Sequence, residues 1–293
     1  MKDQKQIDTP LLSVCIITYN HINYIRQAID SVLMQKVDFS WNLIIADDCS
    51  KDGTRDILLE YKQKYPELIT LILQENNIGA ARNWITLLSE PISKYIAYFE
   101  GDDYWTDPLK LQKQFNFLEA NNSFSSCFHN TMVLKENNET IIYRDYDRDR
   151  YTIEDTLGNI SLFHTSSFVF RREALAFPSW IGEVRSGDML LFTIIARLGD
   201  IKYLPETMSV YRKHGSGISS VRVDEGISMN ENHILRLTYT NEFLDHKYSK
   251  VIKQTVKKYK KELFYYTKLG KIKSKMRLRT RLSFIYNRLF NRS

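Results

Sequence analysis

The stretch Tyr95-Ile-Ala-Tyr-Phe99-Glu-Gly-Asp-Asp103 decides how this chain is read. Five apolar or aromatic residues run into Glu100, Gly101 and two adjacent carboxylates. A short apolar run that ends in a turn signal reads as a buried strand. Adjacent carboxylates at its exit raise each other's pKa and are costly unless something positive sits with them. A hard divalent cation, together with the diphosphate it carries, answers that need. Asp102 and Asp103 therefore point to a metal–nucleotide site.

A second acidic pair stands earlier. Leu43-Ile-Ile-Ala46 is followed by Asp47-Asp48-Cys-Ser-Lys-Asp-Gly-Thr54. The run reads as another buried strand, and the polar Asp-Gly cluster reads as a turn before a helix. Asp52 or Thr54 suits the cap of that helix. Ligands of open α/β sheets bind outside the carboxyl ends of the strands. Two strands ending in Asp-Asp place both pairs on one rim.

Further strands are predicted at 12–17 and 68–73. Ile25, Ala28, Ile29, Val32 and Leu33 recur at helical spacing, and helices follow at about 54–64, 80–89 and 107–120, the last with Pro108 in its first turn. This β-α-β-α-β-α-β order implies a mostly parallel sheet with helices on both faces. Segment 124–170 is less regular, with strands suggested around Phe128, Met132-Val-Leu134 and Phe168-Val-Phe170. Asp188 opens an apolar helical run that ends at Gly199, and 202–211 reads as a strand. Residues 213–220 read as a flexible polar loop, and the pattern beyond about 224 is helical. The expected organisation is a catalytic domain over 1–223 and a basic helical extension over 224–293.

With 293 residues and 43% hydrophobic content, the chain can bury a large core. Its three cysteines show no disulfide or metal spacing, which fits a reducing, cytoplasmic setting. The first ten residues have no apolar core of a signal peptide, and no run is long enough to cross a bilayer. Charge is unevenly spread. Residues 247–293 carry 16 Lys and Arg against one acid, Glu262, so of the formal +6 this tail holds +15 and residues 1–246 carry −9. Leu278, Leu282, Ile285 and Leu289 mark one helical face of the tail, with Arg277, Arg281, Arg288 and Arg292 beside it. Such a face suits peripheral binding to an anionic membrane, on the inner side of the cell membrane. The alternative is a solvated helix packed on the acidic body. Nucleic acid is not expected, because no recognised binding module is present.

No Gly-x-Gly-x-x-Gly follows the first strand, no P-loop occurs, and no Gly-x-Ser-x-Gly elbow is present. What remains is a nucleotide site built from carboxylates. The ordered series Ser13-Val-Cys-Ile-Ile-Thr-Tyr-Asn20, Asp47-Asp-Cys-Ser-Lys-Asp-Gly-Thr54, Asn77-Ile-Gly-Ala-Ala-Arg-Asn83 and Glu100-Gly-Asp-Asp103 resembles glycosyltransferase family 2. Gly187-Asp188 and Tyr211-Arg-Lys-His214 fit the same order, and the resemblance spans about 10–220. It implies the GT-A fold, a Rossmann-like α/β architecture, with a helical C-terminal extension here.

The resemblance also implies roles. Thr18 and Tyr19 meet the nucleobase and ribose, although Tyr19 also reads as an ordinary aromatic plug. Asp48 accepts a nucleobase N–H, and Asp47 braces the turn. Asn77, Gly79 and Arg82 lie beside the nucleotide; for Asn77 a helix cap is the competing account. Asp103 binds Mn²⁺ or Mg²⁺, Asp102 lies near the ribose or metal, and His214 reaches the metal or diphosphate. Glu100 departs from the Asp that many relatives carry. Asp188 matches the catalytic base, while Ser-Gly-Asp before an apolar run is equally an N-cap signature. His21, His129, His164, His233 and His246 have no comparable context.

The implied reaction is a single inverting displacement. The donor is a nucleoside-diphosphate sugar, chiefly a UDP-sugar, and the acceptor a hydroxyl of a glycan or lipid-linked saccharide in surface polysaccharide assembly. Two other classes compete. A receiver-type signalling domain also binds Mg²⁺ at a strand-end Asp pair, but leaves Gly187-Asp188 and 211–214 unexplained. A non-catalytic sugar-binding scaffold would not need the intact acidic set.

Overall fold

The computed structural model describes residues 9–158, 162–184, 187–214 and 223–269. These fall into two compact units. The first is built from 9–152, 162–176 and 194–214, the second from 153–158, 177–184, 187–193 and 223–269.

In chain order the elements are β1 (Leu12–Thr18), α1 (Ile25–Leu33), β2 (Trp41–Asp47), α2 (Thr54–Lys64), β3 (Ile69–Leu73), α3 (Ala80–Ser89) and β4 (Tyr95–Glu100). There follow β5 (Tyr104–Trp105), α4 (Lys110–Ala120), β6 (Phe124–Leu134), β7 (Thr140–Ile142), β8 (Arg150–Tyr151), α5 (Ile153–Gly158) and β9 (Val169–Arg171). The chain continues through α6 (Gly187–Ala196), β10 (Asp200–Arg212), α7 (Val223–Phe243) and α8 (Ser249–Leu269).

The first unit holds one sheet in the order β3-β2-β1-β4-β9-β6-β10-β5, with β7 beside β6 and β8 beside β10. Strands β1 to β4 pair in parallel, as their alternation with helices requires. The short β9 is antiparallel to both β4 and β6. It therefore restores the direction, and β6 pairs in parallel with β10. The long strands all run one way, so the ends of β1, β2, β4 and β10 face one rim. The antiparallel members are short, and the sheet is mixed in its second half.

The core under this rim follows from apolar period. Val14 and Ile16 of β1, Leu43 and Ile45 of β2, and Ala97 and Phe99 of β4 are fully buried with Ile25, Ala28, Ile29 and Val32 of α1. The α1 set recurs at i, i+3, i+4 and i+7, one face of a helix. Burying each large aliphatic side chain contributes about 1.5–3 kcal/mol.

Two local expectations change. The fourth helix begins at Lys110, after Pro108, whose carbonyl instead accepts the Lys36 N–H at 2.8 Å. The two strands suggested around Phe128 and 132–134 are one strand, β6, eleven residues long and buried over most of its length. Its buried polar residues hid the pattern, and several of them find internal partners. Asn130 donates to Arg144 O at 2.9 Å, and Thr131 Oγ1 lies 3.0 Å from Ser209 Oγ.

In the second unit α7 and α8 pair through buried Ile234, Leu237, Ile252, Val256 and Tyr259. His233 stacks on Tyr259 with centroids 4.9 Å apart. Trp180 packs against Tyr239 at 5.0 Å, and the Tyr239 hydroxyl donates to Glu183 at 2.7 Å. Among the described residues no helix is long and apolar enough to cross a membrane. The basic face at 278–292 and residues 215–220 of the polar loop lie outside the described residues.

Candidate active site

The rim is assembled by hydrogen bonds between strand exits. Asp48 N–H donates to Thr18 O at 3.0 Å, and Gly101 N–H to Ile17 O at 2.8 Å. Gly101 leaves little room for a side chain. A Cβ there would meet Ile25 Cδ1 at 2.9 Å and Thr18 Oγ1 at 3.0 Å. The first loop is then latched to the second. Asn20 N–H donates to Ser50 Oγ at 2.8 Å, His21 N–H to Thr54 Oγ1 at 2.9 Å and Ile22 N–H to Asp52 at 3.0 Å. Asp52 also receives the Thr54 N–H at 3.0 Å, just outside the first turn of α2.

The first carboxylate pair is spent on structure. Asp47 is fully buried and accepts from Ser50 N–H at 3.0 Å, the Ser50 hydroxyl and Arg55 Nε at 2.6 Å. It braces the turn, as the sequence suggests. Asp48 Oδ1 accepts from Ile78 N–H at 2.7 Å and Oδ2 from Gly79 N–H at 3.0 Å. Asp48 thus brings the 77–79 loop, with Asn77 and Gly79, to the rim. The Asn77 side chain also accepts from Gly79 N–H, at 3.2 Å, while Gly79 itself holds the N-cap position of α3 at φ +87°. That conformation suits glycine alone. Tyr19 and Arg82 are exposed beside these loops, and Thr18 is buried.

The second pair is differently placed. Asp103 is buried; its Oδ1 accepts the Arg212 N–H at 3.0 Å, and its Oδ2 faces His164 Nε2 at 3.7 Å. Burial above all, then the charges of Asp102 and Glu100, raises its pKa well above the usual carboxylate range; the Arg212 amide opposes that rise. Asp102 Oδ2 lies 3.0 Å from His214 Nε2 and 3.8 Å from His21 Nε2. Burial lowers the His21 pKa, with Asp102 pulling the other way. Glu100 is held by the Thr165 hydroxyl and by Tyr98 OH at 3.2 Å. The Arg212 guanidinium donates to Asp102 O and Gln27 and lies 4.3 Å from the Tyr104 ring centroid.

The structure therefore brings Asp102, Asp103 and His214 together, and adds three residues the sequence reading left out. His21 was signalled by its place in the first-strand loop, and Arg212 by its place in the Tyr211–His214 segment. His164 carried no local signal. Among the described residues no three His, Cys, Asp or Glu side chains form a group that could hold a metal ion. The donor chemistry still fits a hard divalent cation: a buried carboxylate, Asp103, beside Asp102 and His214. Such an ion would draw its remaining ligands from outside the chain, as one carrying a diphosphate does.

Asp188 belongs to the second unit. It stands in the first turn of α6, where the helix dipole favours a carboxylate, and its side chain reaches solvent. Arg236, on α7, is buried.

The rim thus stands on parallel strands that end in two Asp pairs, with the short antiparallel β9 wedged into the sheet. The family model for Glycosyl transferase family 2 matches residues 13–177, and the chain belongs to this family. An uncharacterized protein of Mycobacterium tuberculosis is 38% identical over 216 residues, 71% of this chain and 60% of that protein. The putative teichuronic acid biosynthesis glycosyltransferase TuaG of Bacillus subtilis is 40% identical over 125 residues, 42% of this chain and 48% of TuaG. The chain thus spans about 60% of the length of the first of these relatives. The crystal structure of S. aureus TarS 1–349 in complex with UDP-GlcNAc superposes with a TM-score of 0.66 at 18% identity, covering 95% of this chain and 81% of that one, a likeness of fold.

Proposed function

We propose that the protein is an inverting, metal-dependent glycosyltransferase. It moves a sugar from a nucleoside-diphosphate donor, a UDP-sugar, to a hydroxyl of a glycan or lipid-linked saccharide. The observation that carries this reading is the buried Asp103, flanked by Asp102 and Glu100 at the strand-end rim of a family 2 chain. The UDP-GlcNAc complex of TarS supports the donor class, and the name of TuaG supports a place in surface polysaccharide assembly.

In this reading residues 1–223 form the catalytic domain. Thr18 and Tyr19 meet the nucleoside, Asp48 accepts a base N–H, and Asn77, Gly79 and Arg82 line the nucleotide. Asp103, with Asp102 and His214, would hold Mn²⁺ or Mg²⁺. When bound, the cation supplies neutralisation of the diphosphate leaving group. Asp188 takes the acceptor hydroxyl proton as its oxygen attacks the anomeric carbon from the face opposite the diphosphate. One displacement inverts the configuration. The basic segment 270–293 holds the enzyme at an anionic membrane, where a lipid-linked acceptor lies in the same plane.

A thermal-shift series with UDP-GlcNAc, UDP-glucose and GDP-mannose, each with Mn²⁺, Mg²⁺ or chelator, tests the donor class. A ligand at 100 times its Kd should stabilise the fold by about 2.7 kcal/mol. No metal-dependent shift with any nucleotide sugar would sink the reading. With an active donor in hand, Asp188→Asn should keep donor affinity and lose roughly 10²–10⁴-fold in turnover. Near-normal turnover would leave Asp188 as a helix cap.

A further inference from the structure

His164 lies beside the acidic rim and has no role in the reading above. It precedes the 3₁₀ turn Thr165–Ser167, and its Nδ1 accepts the Ser166 backbone N–H at 3.3 Å. The Ser166 hydroxyl is 2.8 Å from the same nitrogen. An amide can only donate, so Nδ1 carries the lone pair. In a neutral imidazole the proton then sits on Nε2. Nε2 is the atom that faces Asp103 Oδ2 across 3.7 Å.

The ring is held in that pose from several sides. Tyr211 lies tilted against it at 4.4 Å, and Tyr143 meets it edge-on at 5.3 Å. Trp105 Nε1 donates to Ser166 O at 2.9 Å, and Ser166 Oγ lies 3.0 Å from Ser209 Oγ, which is 3.0 Å from Thr131 Oγ1.

Two roles are open to an imidazole beside a cation carboxylate. It can be a ligand itself through a bare nitrogen, or it can donate an N–H that orients the carboxylate. The tautomer separates them. We propose that His164 is a positioning residue: its Nε2–H, aimed at Oδ2 of Asp103 across 3.7 Å, closes to a hydrogen bond on that oxygen when the carboxylate takes up a cation, while the Arg212 amide holds Oδ1, and His164 does not ligate the metal. Each carboxylate oxygen keeps a lone pair for a cation. The inference rests on the reading of Asp103 as the cation carboxylate.

The test uses the full chain. In a long-range ¹⁵N–¹H spectrum of metal-free protein, with the resonances assigned by their loss in His164→Phe, Nε2 should be protonated and Nδ1 bare. The Nε2–H signal should survive addition of Mg²⁺ and UDP, and should shift in Asp103→Ala. A proton on Nδ1, loss of the Nε2 proton when Mg²⁺ and UDP are added, or no response to Asp103→Ala overturns the proposal.

Calorimetry with Mn²⁺ and UDP gives the second readout. His164→Phe should weaken metal-dependent UDP binding by about 10–100-fold, the range for lost outer-shell partners. His164→Gln, which keeps an N–H near the Nε2 position, should recover most of it. Binding by the Phe variant equal to wild type overturns the proposal, and so does a Gln variant as weak as Phe. Wild-type protein that does not bind UDP with Mn²⁺ overturns the donor-site reading instead; the tautomer and its response to Asp103→Ala still decide the His164 contact.

Discussion

The two Asp-Asp pairs look alike in sequence, each following an apolar strand, yet their surroundings differ. Asp47 and Asp48 accept three backbone amides, a hydroxyl and the Arg55 guanidinium between them. Asp103 receives one amide, and burial first, then the charges of Asp102 and Glu100, raise its pKa. The imidazole that faces it, His164, lies 3.7 Å away. The same dipeptide thus makes a clamp at one strand end and, in the proposed function, an ion site at the other. What decides is the number of donors the following loop supplies. The loop after β2 folds back on its own carboxylates, while the segment after β4 leaves straight into β5.

If this contrast holds, stability and ligand binding should separate between the pairs. The largest effect belongs to Asp47. Asp47→Ala leaves Arg55 and the Ser50 amide without their acceptor in a buried setting, and should cost about 3 kcal/mol, read by denaturant unfolding. A loss indistinguishable from zero would dissolve the clamp. Asp103→Asn should do the reverse. Asn keeps an oxygen for the Arg212 amide, so the fold survives, while Mn²⁺-dependent UDP affinity should fall by about 100-fold, about 2.7 kcal/mol. Calorimetry showing unchanged affinity would remove Asp103 from the metal site.

A smaller, pH-dependent effect sharpens the same point. The folded pKa of Asp103 is raised, so its protonated form favours the folded state. Metal-free wild-type protein is therefore most favoured by this group below its unfolded pKa, near 3.8. It loses that contribution as pH rises through the higher folded value. Asp103→Asn has no such loss. With chelator present its melting temperature should exceed that of wild type at pH 8, and the gap should close toward pH 3.5. A gap that stays constant with pH would mean the carboxylate is not strained by burial.

The first half of the sheet was legible because its signals are local. Each apolar run from β1 to β4 ends in a turn of Asp, Asn or Gly, and the helices between them show one apolar face. The carboxylate rim followed from strand direction alone. The second half was not legible, because its order is set by contacts distant in sequence. The strand β9 has three residues and is defined by its neighbours β4 and β6. The polar side chains of β6 break its apolar pattern and make sense only once their partners are seen. His164 reaches Asp103 across some sixty residues of chain, and nothing in His164-Thr-Ser-Ser167 announces it. Arg212 was within reach, since it stands two residues before His214, but the amide through which it holds Asp103 is one that any residue except proline would supply.

The smallest effect concerns Asp48, the residue for which the clamp and ligand readings meet. Its two oxygens receive Ile78 N–H at 2.7 Å and Gly79 N–H at 3.0 Å, yet its place in the ordered motif implies a contact with the nucleobase. A carboxylate has about four lone-pair sites, so the two roles are compatible. Asp48→Asn distinguishes them. The Asn oxygen can take one amide, but its NH₂ then opposes the other donor, which costs about 1 kcal/mol. For a domain of this size that is about 2–4 °C in melting temperature. Hydrogen exchange should quicken at Ile78 and Gly79 and stay unchanged at Ser50, which belongs to Asp47. Unchanged protection at 78 and 79 would show that the loop does not depend on this carboxylate, and Asp48 would then belong with Asp103 among the groups kept for a ligand.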